Sequence, residues 1–240
     1  MKESLQIGLS AQMAIEKRME TLADNVANVN TVGFRATRMR FEEALSKTET
    51  GENSFVKEGG TFVDTRNGAL TETGNSFDFA IRGDGWFGIQ SDQGLVLTRD
   101  GRFTVSNDGE LQTLNGHPVV DAGGAPIRID GAAGPVEAGQ DGVLYQNGRI
   151  AGSLGLFSYD PTGEVGRAEG SAIIPASAPE PIVDRNDAGV VQGFIEESNV
   201  DPIREMTQLI SLQRRFESVN SLMTRTTDKT DDAVKFLGGR

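Results

Sequence analysis

The 240-residue chain has no cysteine, one histidine, one tryptophan and two tyrosines. Without cysteine there is no disulfide framework, thiolate metal site, cysteine nucleophile or iron–sulfur cluster. The lone histidine, in the turn-like run Asn115-Gly116-His117-Pro118, leaves no cluster for a metal and no basis for a His-dependent triad. No stretch of about 18 apolar residues occurs, so no membrane span is expected. The first ten residues are interrupted by Lys2, Glu3, Ser4, Gln6 and Ser10 and do not resemble a cleaved secretory signal. Basic residues are also scarce: 23 Lys and Arg face 35 Asp and Glu, a formal charge of −12. Nucleic-acid binding relies on clustered positive charge and is not expected. No cofactor or metal is expected either.

What is abundant is glycine, and it is unevenly placed. Of 30 glycines, 26 fall between Gly51 and Gly193, and seven of the eight prolines lie between Pro118 and Pro181. Two ends poor in helix breakers therefore flank a turn-rich centre. Near the N-terminus Ile15, Met19, Leu22, Val26 and Val29 recur at alternating steps of four and three, the spacing of a helix that packs on other helices. Near the C-terminus Leu209, Leu212, Phe216, Val219 and Met223 repeat that spacing beside Met206 and Ile210, after an Asp201-Pro202 helix start. Each stripe needs a partner surface. Two readings are open: the helices pack on each other within one globule, or they interlock with helices of other subunits.

The centre reads as short strands and tight turns. Asp100-Gly101, Asp108-Gly109 and Asn115-Gly116 are spaced about one strand apart, and Asn67-Gly68, Asp84-Gly85, Asp141-Gly142 and Asn147-Gly148 extend the series. Such dipeptides supply the positive φ of two-residue hairpins, which predicts an antiparallel all-β domain. The same acidic turns match no EF-hand or phosphate-binding spacing, and no carboxylate pair stands out as glycosidase-like. No catalytic residues are assigned. Phe77, Phe79, Trp86 and Phe87 form the densest aromatic cluster, readable as core packing or as a platform for sugar or peptide.

Between the first helix and the centre runs Asp24-Asn25-Val26-Ala27-Asn28-Val29-Asn30-Thr31-Val32-Gly33-Phe34-Arg35. This resembles the N-terminal signature of the bacterial flagellar axial proteins of the rod and hook. Phe77 to Phe87, including Asp84 and Gly85, resembles that family's strand motif, and Thr98 to Phe103, including Asp100 and Gly101, its next hairpin. Ser198-Asn199-Val200-Asp201 with Glu205-Met206 resembles the start of its C-terminal helix. The motif residues carried over are Asn25, Ala27, Asn28, Thr31, Gly33, Phe34, Asp84, Gly85, Asp100, Gly101, Ser198, Asn199 and Val200. Within the family the likeness is nearest to the proximal-rod branch, with the distal-rod branch as alternative. No motif is matched from about residue 122 to 185.

The expected fold is α+β: long terminal helices packing as a coiled-coil-like stalk around a central antiparallel β domain. The expected divisions are a helix over 1–34, an extended linker over 35–74, the β domain over 75–184, a return linker over 185–198 and a helix over 199–240. The resemblance implies a structural subunit of the basal-body rod, not an enzyme. It also implies export through the flagellar type III apparatus without a cleaved signal, and partners that are other copies of the chain and other rod proteins. The rival reading is a carbohydrate-binding or enzymatic β module with oligomerising helical ends.

Overall fold

The structure is a computed structural model that describes residues 2–48, 51–161, 163, 165–183 and 188–238, with side chains described outside 2–7, 41–59 and 226–238. It divides into two compact units, one containing both helices and residues 37–61, the other built from residues 28–36 and 62–200. In the first unit α1 spans Lys2–Ala27 and α2 spans Pro202–Gly238. The start of α2 follows from Asp201, whose carboxylate accepts the N–H groups of Ile203 and Arg204, both at 3.1 Å. Pro202 then takes the first helical position, where its missing donor costs nothing.

Gly8 lies against Met223, while Asn25 hydrogen-bonds Glu205, so the two helices run antiparallel. Among the less exposed positions of α2, Glu205, Leu209, Leu212, Phe216, Val219 and Met223 recur at alternating steps of four and three, with Gln208 beside Leu209 also half-buried. Leu212 and, on α1, Leu22 are buried. No helix among the described residues is long and apolar enough to cross a membrane.

Residues 35–74, read as an extended linker, contain more structure than that. Thr37–Thr48 and Gly51–Val63 pair as a two-stranded sheet that belongs to the helical unit as far as residue 61, and Leu70–Glu72 pairs with Phe194–Glu196 in the other. The stretch 185–198 is likewise not a bare linker. Gly189–Gln192 pairs antiparallel with Phe79–Arg82, with Val190 opposite Ile81. The boundary expected between 184 and 185 lies outside the described residues. Leu70–Glu72, Gly189–Gln192 and Phe194–Glu196 are short strands whose partners lie far along the chain, and such strands leave no local turn signal.

The β unit centres on a six-stranded sheet. Its middle is the hairpin of Trp86–Ser91 and Gly94–Thr98, flanked on one side by Ile173–Ile174 and Gly166–Arg167 and on the other by Leu156–Ser158 and Glu180–Pro181. Alternation along these strands splits the apolar residues between two faces. Phe87, Ile89 and Val96 join a core with Phe79, Phe103, Leu111, Leu144 and Leu156. Trp86 and Leu97 join a second, smaller one with Val63, Val120, Phe157 and Ile173. With both faces covered, the run Trp86-Phe87-Gly88-Ile89 has no polar alternation.

The turn signals divide into two kinds. Asn147 and Gly148, at φ 52° and 72°, make the tight turn between Val143–Gln146 and Arg149–Ser153. Asp108-Gly109 lies between the paired strands Phe103–Val105 and Leu111–Thr113. Asp100-Gly101, in contrast, does not join a hairpin: Gly94–Thr98 pairs with Trp86–Ser91, and the next strand pairs onward. Glycine stands at 101 because a Cβ there would sit 1.8 Å from the Phe79 carbonyl oxygen. The described residues of the centre thus form several separate antiparallel sheets, one of them six-stranded.

Trp86 is 4% exposed and belongs to the core, not to a surface platform. Trp86→Ala is expected to destabilise the β unit by about 3–5 kcal/mol, read as a lowered urea midpoint by circular dichroism.

Candidate assembly interface

The two units each hold a buried polar cluster built from the terminal segments. In the β unit the centre is Glu196, fully enclosed on Phe194–Glu196. One carboxylate oxygen meets Arg35 at 2.7 Å and the backbone N–H of Gly68 at 2.8 Å; the other meets Arg99 at 3.1 Å. Its carbonyl accepts the N–H of Gly33 at 2.7 Å. Arg35 also donates to the carbonyls of Thr65 and Arg66 and to Asn67 Oδ1, and Arg99 to the carbonyl of Gly83 at 2.9 Å. Both guanidiniums lie near the Trp86 ring, at 5.9 Å and 5.6 Å from its centroid, within cation–π range.

Two buried arginines share the Glu196 carboxylate, while Asp84 acts electrostatically on both and Asp64 on Arg35. Burial, and then the neighbouring Arg99, lower the Arg35 pKa to about 10; burial likewise lowers that of Arg99. A base whose folded pKa lies below its unfolded value destabilises the fold while charged, and that cost is shed only as pH rises through about 10. At neutral pH the Arg35 cost is therefore fully present, and Glu196 offsets it.

In the helical unit the centre is Glu205, also fully buried. It accepts from Arg38 at 2.8 Å and from Asn25 Nδ2 at 3.2 Å. Asn25 grips Thr37 on both sides, donating to its carbonyl at 2.9 Å and accepting its N–H at 2.8 Å. This side chain satisfies both backbone polar groups at the first residue of the strand Thr37–Thr48.

The remaining motif residues are placed as follows. Thr31 Oγ1 donates to Asn28 Oδ1 at 3.0 Å, closing the turn after α1. Gly33 has φ 69°, and a Cβ there would collide with the Asp100 backbone at 2.2 Å. Phe34 and Val200 are buried together with Ala36, and Arg167 lies over the Phe34 ring. Asn199 accepts the Ala36 N–H at 2.7 Å and donates to the carbonyls of Asp64 and Arg66. Ser198 Oγ accepts the N–H of Val200 at 3.3 Å. Asp100 pairs with Arg102 at 2.7 Å. Asp84 lies between Gly83 and Gly85, both at positive φ, and Ala27 closes α1.

Of the seam residues, Leu22 and Leu212 are buried, and Ile15, Met19, Val26, Leu209, Phe216, Val219 and Met223 are half-buried. Val29 lies beyond α1 and packs on Phe34, Ala36 and Val200. Met206 is 45% exposed, because the inward position of that turn is taken by Glu205. Arg35, Arg38, Arg99, Glu196 and Glu205 were not singled out by pattern. Their only signal is that each sits in or beside a motif segment. His117 lies in a groove of the β unit, its Nε2 3.6 Å from Glu169. Among the described residues no His, Asp or Glu group is arranged to hold a metal ion.

Residues 5–35 match the family described as "Flagella basal body rod protein", residues 80–146 "Flagellar hook protein FlgE/F/G D1 domain", and residues 191–235 "Flagellar basal body rod FlgEFG protein C-terminal". The chain is 52% identical over 240 residues to a flagellar basal-body rod protein FlgF of Mesorhizobium japonicum, covering all of both chains. The chain belongs to the FlgF family of flagellar basal-body rod proteins. A FlgF of Rhizobium meliloti is 51% identical over 239 residues, with 100% of this chain and 99% of the relative covered. A FlgG of Bacillus subtilis is 32% identical over 260 residues, with 98% of each covered. FlgF relatives are structural rod proteins, and the chain is a structural protein and not an enzyme. The three matched segments contain Asn25 and Arg35, Arg99, and Glu196 with Glu205.

Glu196→Gln removes the carboxylate that both buried arginines contact, and is expected to cost about 3–5 kcal/mol in chemical denaturation. Asn25→Ala removes the two hydrogen bonds that its side chain makes with the Thr37 backbone in the helical unit. About 1–3 kcal/mol is expected there, with local loss of amide-exchange protection around Thr37.

Proposed function

We propose that this chain is a structural subunit of the proximal rod of the bacterial flagellar basal body, part of the drive shaft that links the motor to the distal rod and hook. Its partners are further copies of itself and other rod proteins, including distal-rod FlgG, and its route to the periplasm is the flagellar type III export apparatus. The observation that carries the proximal assignment is identity of 52% and 51% to FlgF over the full length, against 32% to FlgG.

The terminal helices are the polymerising elements in this reading, forming a coiled-coil-like stalk. The seam of Leu209, Leu212, Phe216, Val219 and Met223 meets that of Ile15, Met19, Leu22 and Val26. Most of these side chains are only half-buried in the single chain, so apolar area remains for neighbours. Completing the burial of one Leu or Phe contributes up to about 1.5–3 kcal/mol.

Labelling the subunit and locating it along isolated basal bodies tests the assignment. Label confined to the motor-proximal part of the rod is expected. Label in the distal rod would instead support a FlgG-like role, and a rod assembled without the subunit would refute both.

A further inference from the structure

We propose that Asn115 is a site of spontaneous deamidation, through which an exposed loop of the β unit gains a carboxylate as the protein ages. The chemistry goes beyond the rod-subunit reading and does not depend on it.

The backbone nitrogen of Gly116, giving its proton to base, bonds to Cγ of Asn115, and the side-chain amide leaves as ammonia after taking up a proton. A five-membered imide is formed. Water then adds to either imide carbonyl and opens the ring. One product is aspartate; the other is isoaspartate, in which the main chain runs through the former side chain. One water enters, one ammonia leaves, and nothing is oxidised or reduced. Asparagine is a thermolabile residue, and glycine, having no side chain, hinders the attack least of all following residues.

Three Asn-Gly pairs occur, at 67, 115 and 147, and the fold treats them differently. At the first, both reacting groups are held by the buried ion cluster: Asn67 Oδ1 accepts from Arg35 and the Gly68 N–H donates to Glu196, each at 2.8 Å. A Cβ at 68 would also collide with the Glu197 carbonyl, so the chain there has no room to fold back on itself. At the third, Asn147 is fixed at φ 52° in a two-residue hairpin turn, and its leaving amide donates to the Ala133 carbonyl at 2.5 Å.

Neither restraint exists at the second. The loop is pinned at its base, where the Thr113 N–H donates to the His117 carbonyl at 2.8 Å. Its tip, Leu114, Asn115 and Gly116, is exposed. Among the described residues the Asn115 side chain has no hydrogen-bond partner, and nothing lies within 4 Å of where a Cβ on Gly116 would be. A single backbone bond, from the Gly116 N–H to the Thr113 carbonyl at 3.0 Å, must open before attack. Asn115 also lines a groove whose charged residues include Asp92, Asp100, Arg102 and Glu169. Arg102 is already paired with Asp100 at 2.7 Å, so the new carboxylate enters a surface with no spare arginine or lysine among its described lining residues.

The three pairs fall in separate tryptic peptides, 67–82, 103–128 and 129–149, so one digest compares them. The full-length folded chain is held for weeks at neutral pH and physiological temperature, and fragment ions place the mass gain of deamidation in each peptide. Conversion at Asn115 is expected to exceed that at Asn67 by at least about tenfold, the protection at 67 being the cost of opening its surroundings. In guanidinium chloride, with the fold lost, the three should convert at similar rates. Hydroxylamine, which cleaves the chain at the imide, should release fragments 1–115 and 116–240 from the folded protein before it cuts after 67 or 147. Equal conversion at 115 and 67 in the folded chain overturns the assignment, and so does conversion led by Asn147. A lead at 115 that persists unchanged in guanidinium chloride also overturns it, because the ranking would then come from local sequence and not from the fold.

Discussion

One carboxylate, that of Glu196, holds two buried guanidiniums apart in the β unit, and the chain around it is arranged to make this tolerable. Taking an ion out of water costs several kcal/mol, and here three ions are taken out together. The compensation comes from placement: backbone carbonyls of Thr65, Arg66 and Gly83 take further arginine donors, leaving the Nε of Arg35 and of Arg99 without an acceptor, and Trp86 lies near both charged planes. Gly33 and Gly68 give Glu196 their N–H groups. Segments from 33 to 35, 65 to 68, 81 to 99 and 196 are thereby fixed with respect to one another. Replacing such a cluster by apolar residues is often no loss of stability in other proteins; breaking one member is a large one. Its contribution is to demand a single arrangement of four chain segments.

The helical unit repeats the device on a smaller scale. Glu205 joins Asn25 and Arg38 where a simple seam would place an apolar residue. A polar group at an inward position fixes register at some cost in stability. With Glu205 inward, Met206 is rotated outward by about a quarter turn, which puts it on the face it shares with Ile210. The identity of one buried residue therefore decides which apolar side chains are left for neighbours.

Much of this was legible in the sequence, and the boundary of legibility has a physical basis. The helices, the Asp201-Pro202 start, the Leu209 to Met223 stripe and the turn at Asn147-Gly148 are encoded within a few residues of where they act. The strands 189–192 and 194–196 are not, because their partners lie over a hundred residues away. Nor are the roles of Arg35, Arg99 and Glu196: a charged residue reads as solvated until distant partners are brought to it. Asp100-Gly101 marks the subtler failure. Its composition is that of a hairpin turn, yet the glycine is required by the approach of the Phe79 carbonyl.

The first and last segments of the β unit, residues 28–36 and 196–200, meet at one place. Gly33 bonds the carbonyl of Glu196, Asn199 bonds Ala36, and the N–H of Asn199 reaches the carbonyl of Phe34. A tension applied between residues 28 and 200 is therefore carried by this short clasp of hydrogen bonds and ion pairs. The sheets beyond it lie outside the load path. A load applied between the two ends of the β unit would pass first through these contacts and not through the strands between 62 and 195.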